Sequence, residues 1–168
     1  MAITSHEWHS LDAETKTSIQ RIQAETPVRL SSLARVLGVR VQSSTLPAGI
    51  SGEIRPDPER QGGFLVRVNR HDSPKRQRFT VAHELAHFLI HRDQIGDGIK
   101  DDILYRSRLS DRREAEANRL AADLIMPADL IDEWLRRSTA LRVENPVEYL
   151  AQAFNVSEQA MKIRLGLA

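Results

Sequence analysis

The stretch from Thr80 to His91, Thr-Val-Ala-His-Glu-Leu-Ala-His-Phe-Leu-Ile-His, constrains this chain more than any other. It carries His-Glu-x-x-His at positions 83–87. On an α-helix, residues four apart stand one above the other on a single face. His83 and His87 can therefore aim both imidazoles at one metal ion. Glu84 is rotated about 100° from His83, so it misses the ion yet can reach a water molecule beside it. Two neutral imidazoles suit Zn²⁺, and a carboxylate next to the water suits a general base. Leu85, Ala86, Phe88, Leu89 and Ile90 are apolar on nearly all sides, so this helix is expected to be buried all round. Buried histidines and a buried glutamate need partners, and a metal satisfies at least two of them.

His91 follows His87 by four residues on roughly the same face. Three ligands on successive turns of a straight helix span about 12 Å, too far for one small ion. His91 is therefore read as a residue that lines the cavity or orients a ligand.

The third ligand is sought in the next helix, expected from near Ser110 to Met126-Pro127. Arg112, Glu116, Arg119 and Asp123 form a charged face, expected to meet water. Ala117, Leu120, Ala121, Leu124 and Ile125 form the inward side. Glu114 and Asn118, four apart, share the face of Ala121 and Ile125. Glu114 should therefore point inward while Glu116 points to water. An inward carboxylate needs a charge partner, either one of the many arginines or a metal already holding two histidines. Asn118, one turn on, is placed to orient a ligand by hydrogen bonding.

Around these helices the chain reads as a small α+β protein. Residues 1–26 look like a peripheral helical segment with Leu11, Ile19 and Ile22 as its apolar stripe. A helix is expected over 31–38 with Gly38 at its C′ position. Strands are expected at 39–41, 50–54 and 64–69, which together predict a small, mostly antiparallel sheet. Ser73 and Pro74 suit the N-cap and first turn of the His-Glu-x-x-His helix, which should run to about Arg92. Residues 93–109 read as a polar loop with Ile103, Leu104 and Tyr105 as anchors. Helices follow at 129–135, 147–154 and 158–165, the last capped by Ser157. The final pair has the outline of a helix-turn-helix, but its second helix carries only Lys162 and Arg164 as basic residues. A helical hairpin packed on the core fits at least as well. The expected division is 1–26 as a peripheral helix, 27–137 as the metal-bearing core, and 138–168 as the C-terminal pair.

Lys and Arg number 24 against 23 Asp and Glu in 168 residues, which gives no global electrostatic case for nucleic acid or an acidic membrane. The absence of cysteine excludes disulfides, thiolate ligands and a cysteine nucleophile. No apolar run approaches a membrane span or a signal peptide's core, so a cytoplasmic protein is expected.

The run Arg78-Phe79-Thr80-Val81-Ala82-His83-Glu84-Leu85-Ala86-His87, followed by Glu114-Ala115-Glu116-Ala117-Asn118-Arg119-Leu120-Ala121-Ala122-Asp123-Leu124-Ile125-Met126-Pro127, resembles the ImmA/IrrE family of metallo-endopeptidases. The Leu-Ala-x-x-Phe-x-Val-Ser of 150–157 also resembles that family's C-terminal segment. The resemblance covers roughly residues 30–168. It implies a minimal gluzincin-like fold, with His83, His87 and Glu114 as zinc ligands and Glu84 as general base. Manganese is an alternative metal. It further implies a helix-turn-helix transcriptional repressor as the protein substrate, cut to relieve repression of a mobile element, a toxin–antitoxin pair or stress genes. The family's long members carry a further C-terminal sensor domain, which is not expected here. Tyr105, His91 and His71 are the candidates for the donor that steadies the tetrahedral oxyanion, with Tyr105 foremost.

Overall fold

The computed structural model describes residues 2–102 and 108–168, with the backbone alone at 101–102 and 108–110. Its described helices are α1 (His6–His9), α2 (Ala13–Gln23), α3 (Leu30–Leu37), α4 (Pro74–Ile90), α5 (Arg108–Ile125), α6 (Ala128–Ala140), α7 (Pro146–Phe154) and α8 (Glu158–Arg164). The strands are β1 (Val39–Ser44), β2 (Ile50–Pro56), β3 (Phe64–Asn69) and β4 (Ile99–Asp102). The architecture is α+β, a minimal zincin-like arrangement in which a small sheet packs on one side of α4 and α5 packs against α4 as well.

The sheet order is β1-β3-β2-β4. β2 pairs antiparallel with both β3 and β4, while β1 runs parallel to β3. Strand alternation sends Gly52 and Ile54 of β2 to the same face as Val68 and Val66, their partners on β3. That face meets α4, since a side chain at Gly52 would point at Thr80 and Glu84. The opposite face carries Glu53 and Arg67, which pair across the strands at 2.7 Å.

Helix α4 starts where its sequence says it should. The Ser73 side chain accepts from the Arg76 N–H, and Pro74 occupies the first turn. Thr80 to Phe88 are all buried, as expected for a helix clothed in apolar residues on every side. The helix ends at Ile90, slightly before Arg92, because His91 leaves helical geometry at φ −127°, ψ 25°. Gly38 terminates α3 in the left-handed conformation at φ 75°, where glycine avoids the Cβ penalty.

β4 lies within the stretch expected to be a polar loop. Its Ile-Lys-Asp-Asp sequence has little strand propensity, and only pairing with the distant β2 makes it a strand. Asp123 also differs from expectation. It is 3% exposed rather than solvated, and it accepts from Arg164 at 2.9 Å and from the Ser5 N–H at 3.1 Å. The partner comes from α8, so no reading of the α5 faces alone could have found it.

The same core collects Ile19 of α2, Leu33 of α3, Leu85 of α4, Leu120 of α5, Ile131 of α6 and Phe154 of α7, all fully buried. The α7–α8 pair has the Asn155 turn in left-handed conformation and the Ser157 cap expected of it. Arg164 is tied to Asp123, to the Met126 carbonyl and to the Ile3 carbonyl. Lys162 is thus the exposed basic side chain of the two on α8. None of the described helices is long and apolar enough to cross a membrane.

Candidate active site

Successive turns of α4 carry His83 and His87 on the face that meets α5, and α5 brings Glu114 to them. His83 Nε2 lies 2.7 Å from Glu114 Oε2, and His87 Nε2 lies 3.2 Å from Glu114 Oε1. The two Nε2 atoms are 3.1 Å apart. All three residues are buried. In an ideal tetrahedral site with bonds of about 2.0–2.1 Å, neighbouring donor atoms stand about 3.3 Å apart. The 3.1 and 3.2 Å spacings are close to that value and the 2.7 Å one is shorter, and the donor set of two imidazoles and one carboxylate is the one a divalent cation takes in hydrolytic sites. The residues therefore fit a metal.

Arginine is the other partner open to Glu114. Arg113 Nε is 3.9 Å from Glu114 Oε1, farther than either histidine. Burial works against ionisation of Glu114, but the hydrogen bonds from His83 and His87 outweigh it and hold the carboxyl well below the usual carboxylate range. An ionised, histidine-facing carboxylate is the form a cation needs.

Both imidazoles are held from behind. His83 Nδ1 lies 2.7 Å from Asn118 Oδ1, and His87 Nδ1 lies 2.9 Å from His91 Nδ1. Asn118, one turn beyond Glu114 on α5, is thus brought to His83. His91, 3% exposed, touches His87 and stands outside the cluster of ligand atoms. Burial first, and then the neighbouring His87, push its pKa down, while Glu116 pushes the other way.

Glu84 is fully buried beside the histidines. Gly52 of β2 passes close to it, such that a Cβ there would stand 3.5 Å from Glu84 Oε1. Glycine inside a strand is a sign of close approach, and Ile-Ser-Gly-Glu-Ile carried that sign without showing what would approach.

Two expected features differ. Glu116 is not simply turned to water, because its side chain is 32% exposed and its Oε1 lies 3.7 Å from His91 Nε2. His71 is exposed in the turn before α4. From Pro74 to His83 the helix rises about 13 Å, so His71 is not brought to the cluster. Tyr105 lies outside the described residues.

The family model of the IrrE N-terminal-like domain, Peptidase M78, matches residues 34–166. Among curated proteins, the radiation response metalloprotease IrrE of Deinococcus deserti is 38% identical over 96 residues, covering 53% of this chain and 34% of the relative. Its namesake in Deinococcus radiodurans is 34% identical over 103 residues, covering 55% of this chain and 31% of the relative. The chain thus spans about a third of the length of these two relatives. A solved Mycobacterium tuberculosis transcriptional regulator superposes with a TM-score of 0.56 at 18% identity, over 97% of this chain and 48% of that one, a likeness of fold. With the match running from α3 to the end of α8 and taking in His83, Glu84, His87 and Glu114, the chain belongs to the IrrE N-terminal-like, Peptidase M78 family.

Proposed function

We propose that this chain is a zinc-dependent, site-specific endopeptidase that cleaves a helix-turn-helix transcriptional repressor and so relieves repression. The observation that carries the reading is the convergence of His83, His87 and Glu114 donor atoms next to a buried Glu84 on the same helix. His83, His87 and Glu114 hold the metal. When bound, the ion supplies Lewis acidity that polarises the scissile carbonyl and makes a water molecule more acidic.

Glu84, one residue after His83, is the general base. It takes a proton from the attacking water at its carboxylate and delivers it to the leaving amine. Asn118 holds the His83 ring from Nδ1, which fixes its orientation toward the cluster. Tyr105 is the proposed donor to the oxyanion. The substrate backbone adds as a strand to the sheet edge at β4, whose neighbour β2 carries Gly52 against Glu84. Family membership supports the peptidase chemistry, and the transcriptional regulator among the fold neighbours accords with a regulatory setting.

The test is a cleavage assay with the helix-turn-helix repressor encoded beside this chain, with and without Zn²⁺ or Mn²⁺, read by intact mass. One metal-dependent cut is expected, absent in Glu84→Gln, which should still bind one metal per chain. A Glu84→Gln variant that cuts like the wild type would refute the base. A metal-loaded wild type that binds the repressor and leaves it intact would favour sequestration over cleavage.

A further inference from the structure

The contact between His87 and His91 poses a question of proton placement. Their Nδ1 atoms are 2.9 Å apart, so one nitrogen carries the proton and the other accepts it. If His91 donated, His87 would accept at Nδ1 and would have its own proton on Nε2, the atom that must offer a lone pair to the metal. If His87 donates, its Nε2 is bare and ready to ligate. With no ion bound, Glu114 Oε1 at 3.2 Å favours a proton on His87 Nε2, so ligation requires that proton to sit on Nδ1 instead.

Glu116 favours that placement. Its Oε1 stands 3.7 Å from His91 Nε2, and that nitrogen is buried with no hydrogen-bond partner among the described residues. A carboxylate facing a ring nitrogen favours N–H there and disfavours a lone pair, even without an ideal hydrogen bond. With the proton on His91 Nε2, His91 Nδ1 is an acceptor and must take the Nδ1 proton of His87.

We propose that Glu116 and His91 form a two-residue relay that favours the ligating tautomer of His87, and that Glu116 is thereby a positioning residue of the metal site. The inference rests on the reading of His83, His87 and Glu114 as ligands. His83 has the matching arrangement in one step, with the Asn118 amide oxygen at its Nδ1. The site thus has a direct acceptor behind one imidazole and a relayed one behind the other. Nothing in the α5 sequence foretold this, because Glu116 lies on the charged side of its own helix and its partner comes from the end of α4.

The experiment is zinc affinity of the full chain by competition with a chromophoric chelator, beside ring-nitrogen NMR of ¹⁵N-histidine-labelled protein. Glu116→Ala should weaken zinc binding about 10- to 100-fold, the range seen for partners that orient metal-bound histidines. Alanine is the best helix former, so α5 should persist, and thermal melting checks it. Glu116→Gln keeps an acceptor oxygen and should recover most of the loss. His91→Leu should match Glu116→Ala, and His91→Gln, which can still accept from His87, should stay near wild type. The NMR should place the His91 proton on Nε2 in the zinc-loaded wild type. Glu148→Gln, on α7, is the unaffected control. Wild-type-like zinc affinity in both Glu116→Ala and His91→Leu, or a proton on His91 Nδ1 in the zinc-loaded wild type, overturns the relay. A wild type that binds no zinc overturns the ligand reading itself, a distinct result.

Discussion

Asn118 Oδ1 stands 2.7 Å from His83 Nδ1, so the outer nitrogen of that imidazole donates to an amide on the neighbouring helix. The acceptor comes from α5, the helix that also carries Glu114. One helix thus supplies both a proposed ligand and the group that stands behind another. Asn118→Ala should lower zinc affinity about 10- to 100-fold, while Asn118→Asp, which keeps the acceptor, should bind far better than Ala. Chelator competition measures it. Equal affinities for Asn118→Ala and wild type would mean that the contact does not orient His83.

Gly52 allows β2 to lie against α4 at Glu84. A methyl group there would overlap Thr80 Cγ2 and stand 3.1 Å from the Arg67 carbonyl oxygen. Gly52→Ala should destabilise the protein by about 1–3 kcal/mol, as overpacking does. Thr80→Ser, which removes the clashing methyl, should recover part of that loss when combined with it. Urea unfolding of the two single variants and the double variant checks this, and strictly additive losses would contradict the clash.

A ligand that binds only the folded chain stabilises it by mass action. Free zinc at about 100 times its dissociation constant should add about 2.7 kcal/mol. For a chain of this size that raises Tm by about 5–10 °C. Chelation should reverse the shift, and His83→Ala or His87→Ala should abolish it. Differential scanning calorimetry with and without zinc is the measurement, and a zinc-insensitive wild-type Tm would count against the site.

Arg164 and Asp123 are 7% and 3% exposed, and their side chains meet at 2.9 Å. Arg164→Ala leaves a buried carboxylate without its cation and should cost about 3–5 kcal/mol. Arg164→Met with Asp123→Asn should cost much less, because no charge is stranded. Denaturation midpoints decide the matter. If the double change costs as much as Arg164→Ala, the loss comes from packing and not from charge.

The His-Glu-x-x-His spacing predicts its own outcome because a helix converts sequence distance into direction. His83, His87 and the inward Glu114 were each assignable from one helix at a time, and Asn118 from its position one turn after Glu114. The caps were equally legible, since Ser73, Gly38 and Ser157 act on backbone groups a few residues away. β3 was readable as a β-branched run between turns.

Relations between elements were not legible in the same way. β4 exists because β2 lies beside it, not because Ile-Lys-Asp-Asp favours extension. Asp123 looked solvated on the wheel of α5 until α8 delivered Arg164 to it. Glu116 looked solvated for the same reason until the end of α4 placed His91 within 3.7 Å. The candidate ligand types, their spacing and the faces that carry them were legible in the sequence, because those follow from local helical geometry. Which groups stand behind them came from the packing of separate elements. Each of those contacts joins elements whose relative placement depends on packing over the whole core, and no local period encodes it.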